Sequence, residues 1–298
     1  MTTISVVIPT CDRPDSLVEA VNCALAQSFP AHEIIVVNNG GRPLGHQAWP
    51  GQVRTSELPP YAGVSRARNE GAALATGDYI AFLDDDDLWE LDYLRKAAAL
   101  LDEQRADCLV TRKDALSDGR IGPYKNADGQ LDLEHLLVKN PGVGGQNTIV
   151  RRQAFLAIGG YDANLISGSD KALIIDLLIK GYVVAAAPKI QAILRQHGGS
   201  RLTDAEPMHR GITSFVSKYG GLMSPGQRNF NWLKIYHYRY LARGHKSDYW
   251  NFCLRYLLNK LYRARDHRIP PGPRFALRHL LESPKLATRP KMIGDDER

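Results

Sequence analysis

A chain of 298 residues, 44% hydrophobic and 23% charged, has the composition of an ordinary globular protein, long enough for one large α/β domain with an appendage or for two modest domains. No run of eighteen apolar residues occurs, and Met1 leads straight into Ile4-Ser5-Val6-Val7-Ile8 with neither a basic flank nor a small-residue cleavage site, so no signal peptide or membrane span is expected and the expected location is cytoplasmic. The net charge of +6 hides an asymmetry: residues 206–298 carry 18 Lys and Arg against 7 Asp and Glu, so the first 205 residues are mildly acidic and the tail is basic, which suits an anionic surface, nucleic acid or an acidic substrate.

In chain order, Ile4 to Ile8, Ile34 to Val37 and Tyr79 to Leu83 are short, β-branched apolar runs bounded by polar residues, the pattern of buried parallel strands. Between the first two, Thr10-Cys11-Asp12-Arg13-Pro14 opens a helix whose apolar positions Leu17, Val21, Ala24 and Leu25 recur at helical spacing, with Thr10 and Asp12 as candidate caps. The ends of such parallel strands would bring Thr10 to Arg13, Asn38-Asn39 and Asp84 to Asp87 to one crevice. A helical pattern from Leu88 to Glu103, a strand at Cys108 to Thr111 and a loop from Asp114 to Gly129 follow. Asn140 to Gly145 reads as a flexible element, Gly159-Gly160-Tyr161-Asp162 as a turn, Lys171 to Lys180 as a helix stopped at Gly181, and Tyr182 to Ala187 as a strand. Residues 207–265 look helical, and the proline-rich end looks like a partly ordered tail. Cys11, Cys23, Cys108 and Cys253 are scattered, without zinc or disulfide spacing, and are expected to be reduced thiols.

The run Asp84-Asp85-Asp86-Asp87 carries the most chemistry, because clustered carboxylates repel unless a cation intervenes, and a hard divalent ion is the simplest compensation. In an extended segment Asp84 and Asp86 face one side and Asp85 and Asp87 the other, so two can share one ion. The bland alternative is a solvated acidic turn capping the helix that begins at Leu88.

Four segments, Ser5-Val6-Val7-Ile8-Pro9-Thr10, Ser65-Arg66-Ala67-Arg68-Asn69-Glu70-Gly71, Gly77 through Trp89 with its aspartate block, and Gly159-Gly160-Tyr161-Asp162, in this order and spacing resemble family 2 glycosyltransferases, inverting enzymes of the α/β GT-A fold. The resemblance covers roughly residues 3–203 and implies a nucleotide-sugar donor, Mn²⁺ or Mg²⁺ as cofactor and a hydroxyl acceptor. Carried over by position, Asp84 and Asp86 match the two aspartates of the family's Asp-x-Asp motif, with Asp86 the direct metal ligand and Asp84 shared between ribose and metal. Asp85 falls in the same donor-binding set, although it and Asp87 are expected to carry structure more than chemistry. Arg68 matches a donor-binding arginine, and Pro9, Thr10 and Arg13 match the nucleotide cradle.

Two departures stand out. Where many members have an acidic segment whose second aspartate contacts the base, this chain has Asn38-Asn39-Gly40-Gly41, so Asn39 is the candidate base contact, with uridine favoured over guanosine or thymidine. Where the family has Glu-Asp before an apolar helix, this chain has Ser169-Asp170, leaving Asp170 as the base that removes the acceptor proton and Asp176 as a weaker rival. His197, in Arg195-Gln196-His197-Gly198-Gly199-Ser200, matches a segment whose histidine can complete the metal shell or touch the diphosphate, with Arg195 and Arg201 as phosphate neighbours.

The expected division is a GT-A catalytic domain over 1–205 and a basic, aromatic-rich helical extension over 206–298. Trp232, Tyr236, Tyr240, Trp250 and Tyr256 interleave there with basic residues, which suits either an interfacial helix on anionic lipid at the inner face of a membrane or helices packed on the catalytic domain or a second subunit; nucleic acid is disfavoured without a reader motif. The expected activity is transfer of a sugar from a nucleoside diphosphate to a hydroxyl of a surface polysaccharide, other glycan or lipid-linked acceptor. The rivals are a catalytically silent binding module and a nucleotidyltransferase, the latter opposed by the lack of a Gly-rich phosphate loop with an accompanying lysine.

Overall fold

A computed structural model describes residues 2–44, 49–124, 131–165, 167–195 and 204–272. The first half alternates strand and helix: β1 (Ile4–Thr10), α1 (Pro14–Leu25), β2 (Glu33–Asn38), β3 (Val53–Glu57), α2 (Val64–Leu74), β4 (Tyr79–Phe82), β5 (Leu88–Trp89) and α3 (Tyr93–Gln104). After these come β6 (Cys108–Ser117), β7 (Arg120–Pro123), α4 (Leu133–Leu136), β8 (Thr148–Arg151), α5 (Arg152–Ala157), α6 (Ser169–Ile179) and β9 (Val184–Arg195). Three long helices follow, α7 (Ala205–Tyr219), α8 (Pro225–Arg243) and α9 (Lys246–Arg265).

All nine described strands belong to one sheet in the order β3-β2-β1-β4-β8-β6-β9-β5, with β7 paired to β6. The strands from β3 to β4 run parallel, then β8 enters antiparallel to both β4 and β6. Both faces of the sheet are covered, which is why its central strands read as nearly unbroken apolar runs. Along β1 the period of two sends Ile4, Val6 and Ile8 to the side of α1 and α3, where Leu17, Val21, Tyr93 and Leu94 pack on them. Val7 goes to the opposite side, with Ile35, Val37, Phe82 and Val110, under α2, α5 and α6. There Gly71 of α2 leaves only the room a glycine needs, because a β-carbon would lie 2.3 Å from Val7 Cγ1. The rings of Phe82, Phe155 and Tyr161 meet at 5.3–5.7 Å between centroids, and full burial of each contributes about 1.5–3 kcal/mol.

Several expected elements change in the structure. Leu88–Trp89 is a short strand paired with Ile193 and Ala192 of β9, and the helix starts only at Tyr93. The expected loop from Asp114 is the second half of β6, which turns at Asp118 and Gly119, both with positive φ (50° and 73°), into β7. Asp-Gly at such a turn fits the right-handed twist of the strands. The strand foreseen at Tyr182 begins at Val184 and runs on to Arg195. Neither Thr10 nor Asp12 caps α1: its N-cap is Arg13, with Pro14 at the first turn.

The basic extension forms α7, α8 and α9, which pack against one another. Phe230 and Leu233 of α8 meet Phe252 of α9 together with Val138 and Ile269, and Tyr236 and Tyr256 close the edges. Most of the aromatic residues of this region therefore serve helix packing. Ser224 and Gln227 form a reciprocal capping box at the start of α8, where the Ser224 N–H donates to Gln227 Oε1 at 2.8 Å. Phe215 and Tyr219 of α7 join the core of the sheet domain, so α7 links the two regions.

Candidate active site

A cavity of about 940 Å³ opens outside the carboxyl ends of β1, β2 and β4, where an open parallel sheet exposes the loops that follow its strands. Pro9, Thr10, Arg13, Asn39 and Arg68 line it, as do Asp84, Asp85, Asp86 and Asp170. These residues come from segments up to 161 positions apart and meet in one space. His197 and Arg201 lie outside the described residues.

The loop after β4 is a tight turn rather than the extended segment expected, closed by the Asp87 N–H donating to the Asp84 carbonyl at 3.1 Å, and the turn separates its four carboxylates. Asp85 and Asp87 are buried, at 4% and 2% exposure, whereas Asp84 and Asp86 keep about a quarter and a fifth of their side chains open. Asp85 organises the start of the site: it accepts from Thr10 Oγ1 at 2.7 Å and from Arg13 Nη1 at 2.8 Å. Burial pushes its carboxyl above the usual range, opposed by those two contacts. Asp87 accepts from the Arg195 N–H at 2.9 Å and so ties the run to β9; burial, then the neighbouring Asp84 and Asp86, hold its carboxyl well above the usual value. Trp89 anchors the segment from below, its indole N–H donating to the Gln146 carbonyl at 2.7 Å and its ring stacked on Tyr93 at 4.3 Å.

Arginines supply part of the compensating charge that the aspartate run calls for. Arg13 Nη1 bridges Asp85 and Asp86, at 2.8 Å to each. Arg68, only 5% exposed, spans the floor: Nη2 meets Asp84 at 2.5 Å and Nη1 meets Asp170 at 2.9 Å. Its guanidinium lies 5.1 Å from the Tyr161 ring centroid, and although burial opposes the charge, Asp84 and Asp170 raise its pKa further. Gly145 is the space for this group, since a β-carbon there would fall 2.1 Å from Arg68 Nη2. The next residue, Asn69, turns away and clamps Tyr161, donating to its carbonyl and accepting from its N–H, both at 2.8 Å. That clamp explains the Gly159-Gly160 turn, where Gly160 has φ 70° and a β-carbon would strike Asn69 Oδ1.

Asp170 stands in the first turn of α6, where the helix dipole favours a negative charge. The cap position belongs to Gly168, so Asp170 lies inside the helix rather than capping it. Burial raises its carboxyl pKa while Arg68 pulls it down, with a net rise that suits a proton acceptor. Asp176 is engaged elsewhere, accepting from Tyr219 Oη at 2.9 Å and pairing with Lys218.

The opposite wall is set by Asp12. With φ 56°, it accepts from the N–H groups of Gly41 and Arg42 at 3.2 and 3.0 Å and from Tyr61 Oη at 3.1 Å, stapling the loops after β1, β2 and β3 together. Those backbone contacts and the tyrosine hydroxyl lower its pKa. Asn39 sits within this wall, its N–H donating to the Thr10 carbonyl at 2.9 Å, while Asn38 turns inward to Glu57 and Arg42.

Asp84 and Asp86 offer hard oxygen donors on the cavity surface, the set that Mg²⁺ or Mn²⁺ takes when water and phosphate oxygens fill its other positions. Among the described residues no group of three or more His, Cys, Asp or Glu side chains is arranged to hold an ion by itself. The donor chemistry thus fits a cation that arrives with a phosphate ligand. Lys171 and Lys234 also line the cavity and were missed in the sequence; a lysine leading directly into the apolar run Ala172-Leu173-Ile174-Ile175 was the available signal.

The chain is 28% identical over 207 residues to the amylovoran biosynthesis glycosyltransferase AmsB of Erwinia amylovora, covering 62% of this chain and 67% of that one. It is 28% identical over 188 residues to the glucosyl-dolichyl phosphate glucuronosyltransferase of Haloferax volcanii, covering 56% and 58%. Among solved structures, S. aureus TarS 1-349 in complex with UDP-GlcNAc superposes with a TM-score of 0.62 at 15% identity, covering 90% of this chain and 82% of that one. The model of the family described as "Glycosyl transferase family 2" matches residues 5–158, from β1 through α5, and the chain therefore belongs to glycosyl transferase family 2, with the GT-A fold.

Proposed function

We propose that this glycosyltransferase moves a sugar, with inversion, from a uridine diphosphate donor to a hydroxyl of a growing polysaccharide or lipid-linked glycan. The observation that carries the reading is the Asp84–Arg68–Asp170 bridge, which links the aspartate run to a carboxylate of raised pKa across one cavity. Asp170 takes the proton of the acceptor hydroxyl as its oxygen attacks the anomeric carbon, and the diphosphate leaves on the opposite side. Thr10, Arg13 and Asn39 hold the nucleotide end, and Asp84 and Asp86 would hold Mg²⁺ or Mn²⁺. Such an ion, when bound, neutralises charge on the leaving diphosphate. The uridine donor is supported by the UDP-GlcNAc bound to the TarS fold relative, and the acceptor class by the activities named for AmsB and the Haloferax enzyme.

The test is a panel of UDP-sugars incubated with the full chain and Mn²⁺ or Mg²⁺, with UDP release and UDP binding both measured, before and after EDTA. Metal-dependent binding and release from at least one donor is the expected result. Absence of both would leave a silent binding module as the better reading.

We further propose contact with an anionic membrane surface through α9. Trp250, Leu254, Leu257 and Leu261 form an exposed stripe at helical spacing, 56–66% exposed, beside the exposed Lys246, Lys260 and Arg263. Among the described residues no helix is long and apolar enough to cross a membrane. Co-sedimentation with vesicles containing phosphatidylglycerol, lost on Trp250→Ser with Leu257→Ser, is expected; equal sedimentation of the variant would refute it.

A further inference from the structure

The far end of the cavity is built differently from the aspartate end. Lys171 follows Asp170 on α6 and is only 8% exposed, with its ammonium 3.5 Å from the centroid of the Phe215 ring on α7. Among the described residues that ammonium has no hydrogen bond and no carboxylate partner. Lys234 approaches from α8, donating to the Val138 carbonyl at 2.9 Å and lying 4.9 Å from the Phe230 ring centroid, again without a carboxylate. Both line the cavity. Burial lowers the pKa of Lys171 well below that of an ordinary lysine, with the charge of Lys234 adding to the effect, and lowers that of Lys234 to about 7.

A desolvated lysine with no counter-charge is costly to keep protonated and sheds its proton more readily than usual, and replacing it with an apolar side chain of similar size is commonly neutral or stabilising. Aromatic rings offset only part of that cost. An anion arriving between them would offset the rest. Asn231 of α8, fully buried with its Oδ1 unpartnered among the described residues, lines the same end and offers an acceptor to a sugar hydroxyl. Asp170, the chain neighbour of Lys171, shares Arg68 with Asp84, so the base connects this end of the cavity to the aspartate run.

We infer that the end of the cavity formed by Lys171, Lys234 and Asn231 is the acceptor subsite, and that it selects acceptors whose sugar carries an anionic phosphate or carboxylate. This inference rests on the transferase reading above and adds to it the chemistry of the second substrate.

Calorimetry on the full chain tests it, with UDP and Mn²⁺ saturating so that the donor cradle is filled. Three probes are titrated: α-glucose 1-phosphate, glucuronate and the neutral methyl α-glucoside. The expected result is at least about tenfold tighter binding of one charged sugar than of the glucoside. Which one wins separates a phosphate-bearing acceptor from a uronate. Lys171→Met with Lys234→Met should abolish the difference, leave UDP affinity within about twofold, and leave the melting temperature unchanged or higher. Equal binding of all three probes by the unaltered chain would overturn the inference without any variant. So would a double variant that keeps the discrimination, or one that instead loses UDP, since the lysines would then serve the donor. Failure of UDP to bind would count against the transferase reading alone, because the same titrations on the unliganded chain still decide the subsite.

Discussion

Replacing Arg68 by Met should unsettle both fold and chemistry, and pH separates the two effects. Arg68 is 5% exposed and holds two carboxylates, so its loss leaves Asp84 and Asp170 facing each other without their common counter-charge. Breaking a buried ion pair from one side costs about 3–5 kcal/mol, and since Asp84 and Asp170 are about a quarter exposed the lower end applies, about 3 kcal/mol at pH 7.5. For a chain of this size that is a fall in melting temperature of roughly 5 °C. The Asp170 carboxyl is already raised by burial and held in check by Arg68, so in the variant it rises further. A carboxyl raised above its unfolded value loses stability as pH climbs between the two values, and regains it as pH falls. The deficit of the variant should therefore shrink between pH 7.5 and pH 4.5. Urea unfolding of both proteins across that range is the assay. A variant as stable as the parent at pH 7.5, or a deficit unchanged by acid, would show that Arg68 does not carry the charge of these two groups.

Asp170→Asn should lower transfer or donor hydrolysis by about 10²–10⁴-fold while UDP binding persists, read by UDP release and calorimetry; retention of more than a tenth of the activity would remove Asp170 as base. Gly145→Ala should push the Arg68 guanidinium off both partners and reduce kcat by roughly 10–100-fold for a stability cost of about 1–3 kcal/mol, measured side by side; unchanged kcat would mean the guanidinium position is immaterial. Gly119→Ala, at φ 73° in the β6–β7 turn, is a control: about 1 kcal/mol of stability lost on urea unfolding and no change in UDP release.

The strands that hold the site were legible because each is buried on both faces and its apolar run is continuous. β3 escaped notice for the opposite reason: Val53-Arg54-Thr55-Ser56-Glu57 is an edge strand, half exposed, with no apolar run to betray it. Leu88–Trp89 looked like the start of a helix because its tie to β9 is made across more than a hundred residues. The Asp118-Gly119 turn was visible in the sequence and was read as part of a loop, although Asp-Gly between two potential strands is a hairpin signal. At the site, the residue types were readable but their partners were not. Nothing local says that Arg13 reaches Asp85 and Asp86, or that Arg68 reaches Asp170, 102 positions away. A pattern of like charges announced that compensation was needed, and only the folded chain shows that arginines supply part of it.

The Asp12 staple bears on how a ligand is received. Because one carboxylate holds Gly41, Arg42 and Tyr61 to the loop after β1, the wall containing Asn39 is braced by contacts within the chain itself. A nucleobase held there, as proposed above, would spend little of its binding energy on ordering loops, and discrimination would come from fit to the outline of the wall rather than from closure around the ligand. Recognition of this kind would leave an enzyme slow to adapt, since a change of base would require rebuilding three loops at once.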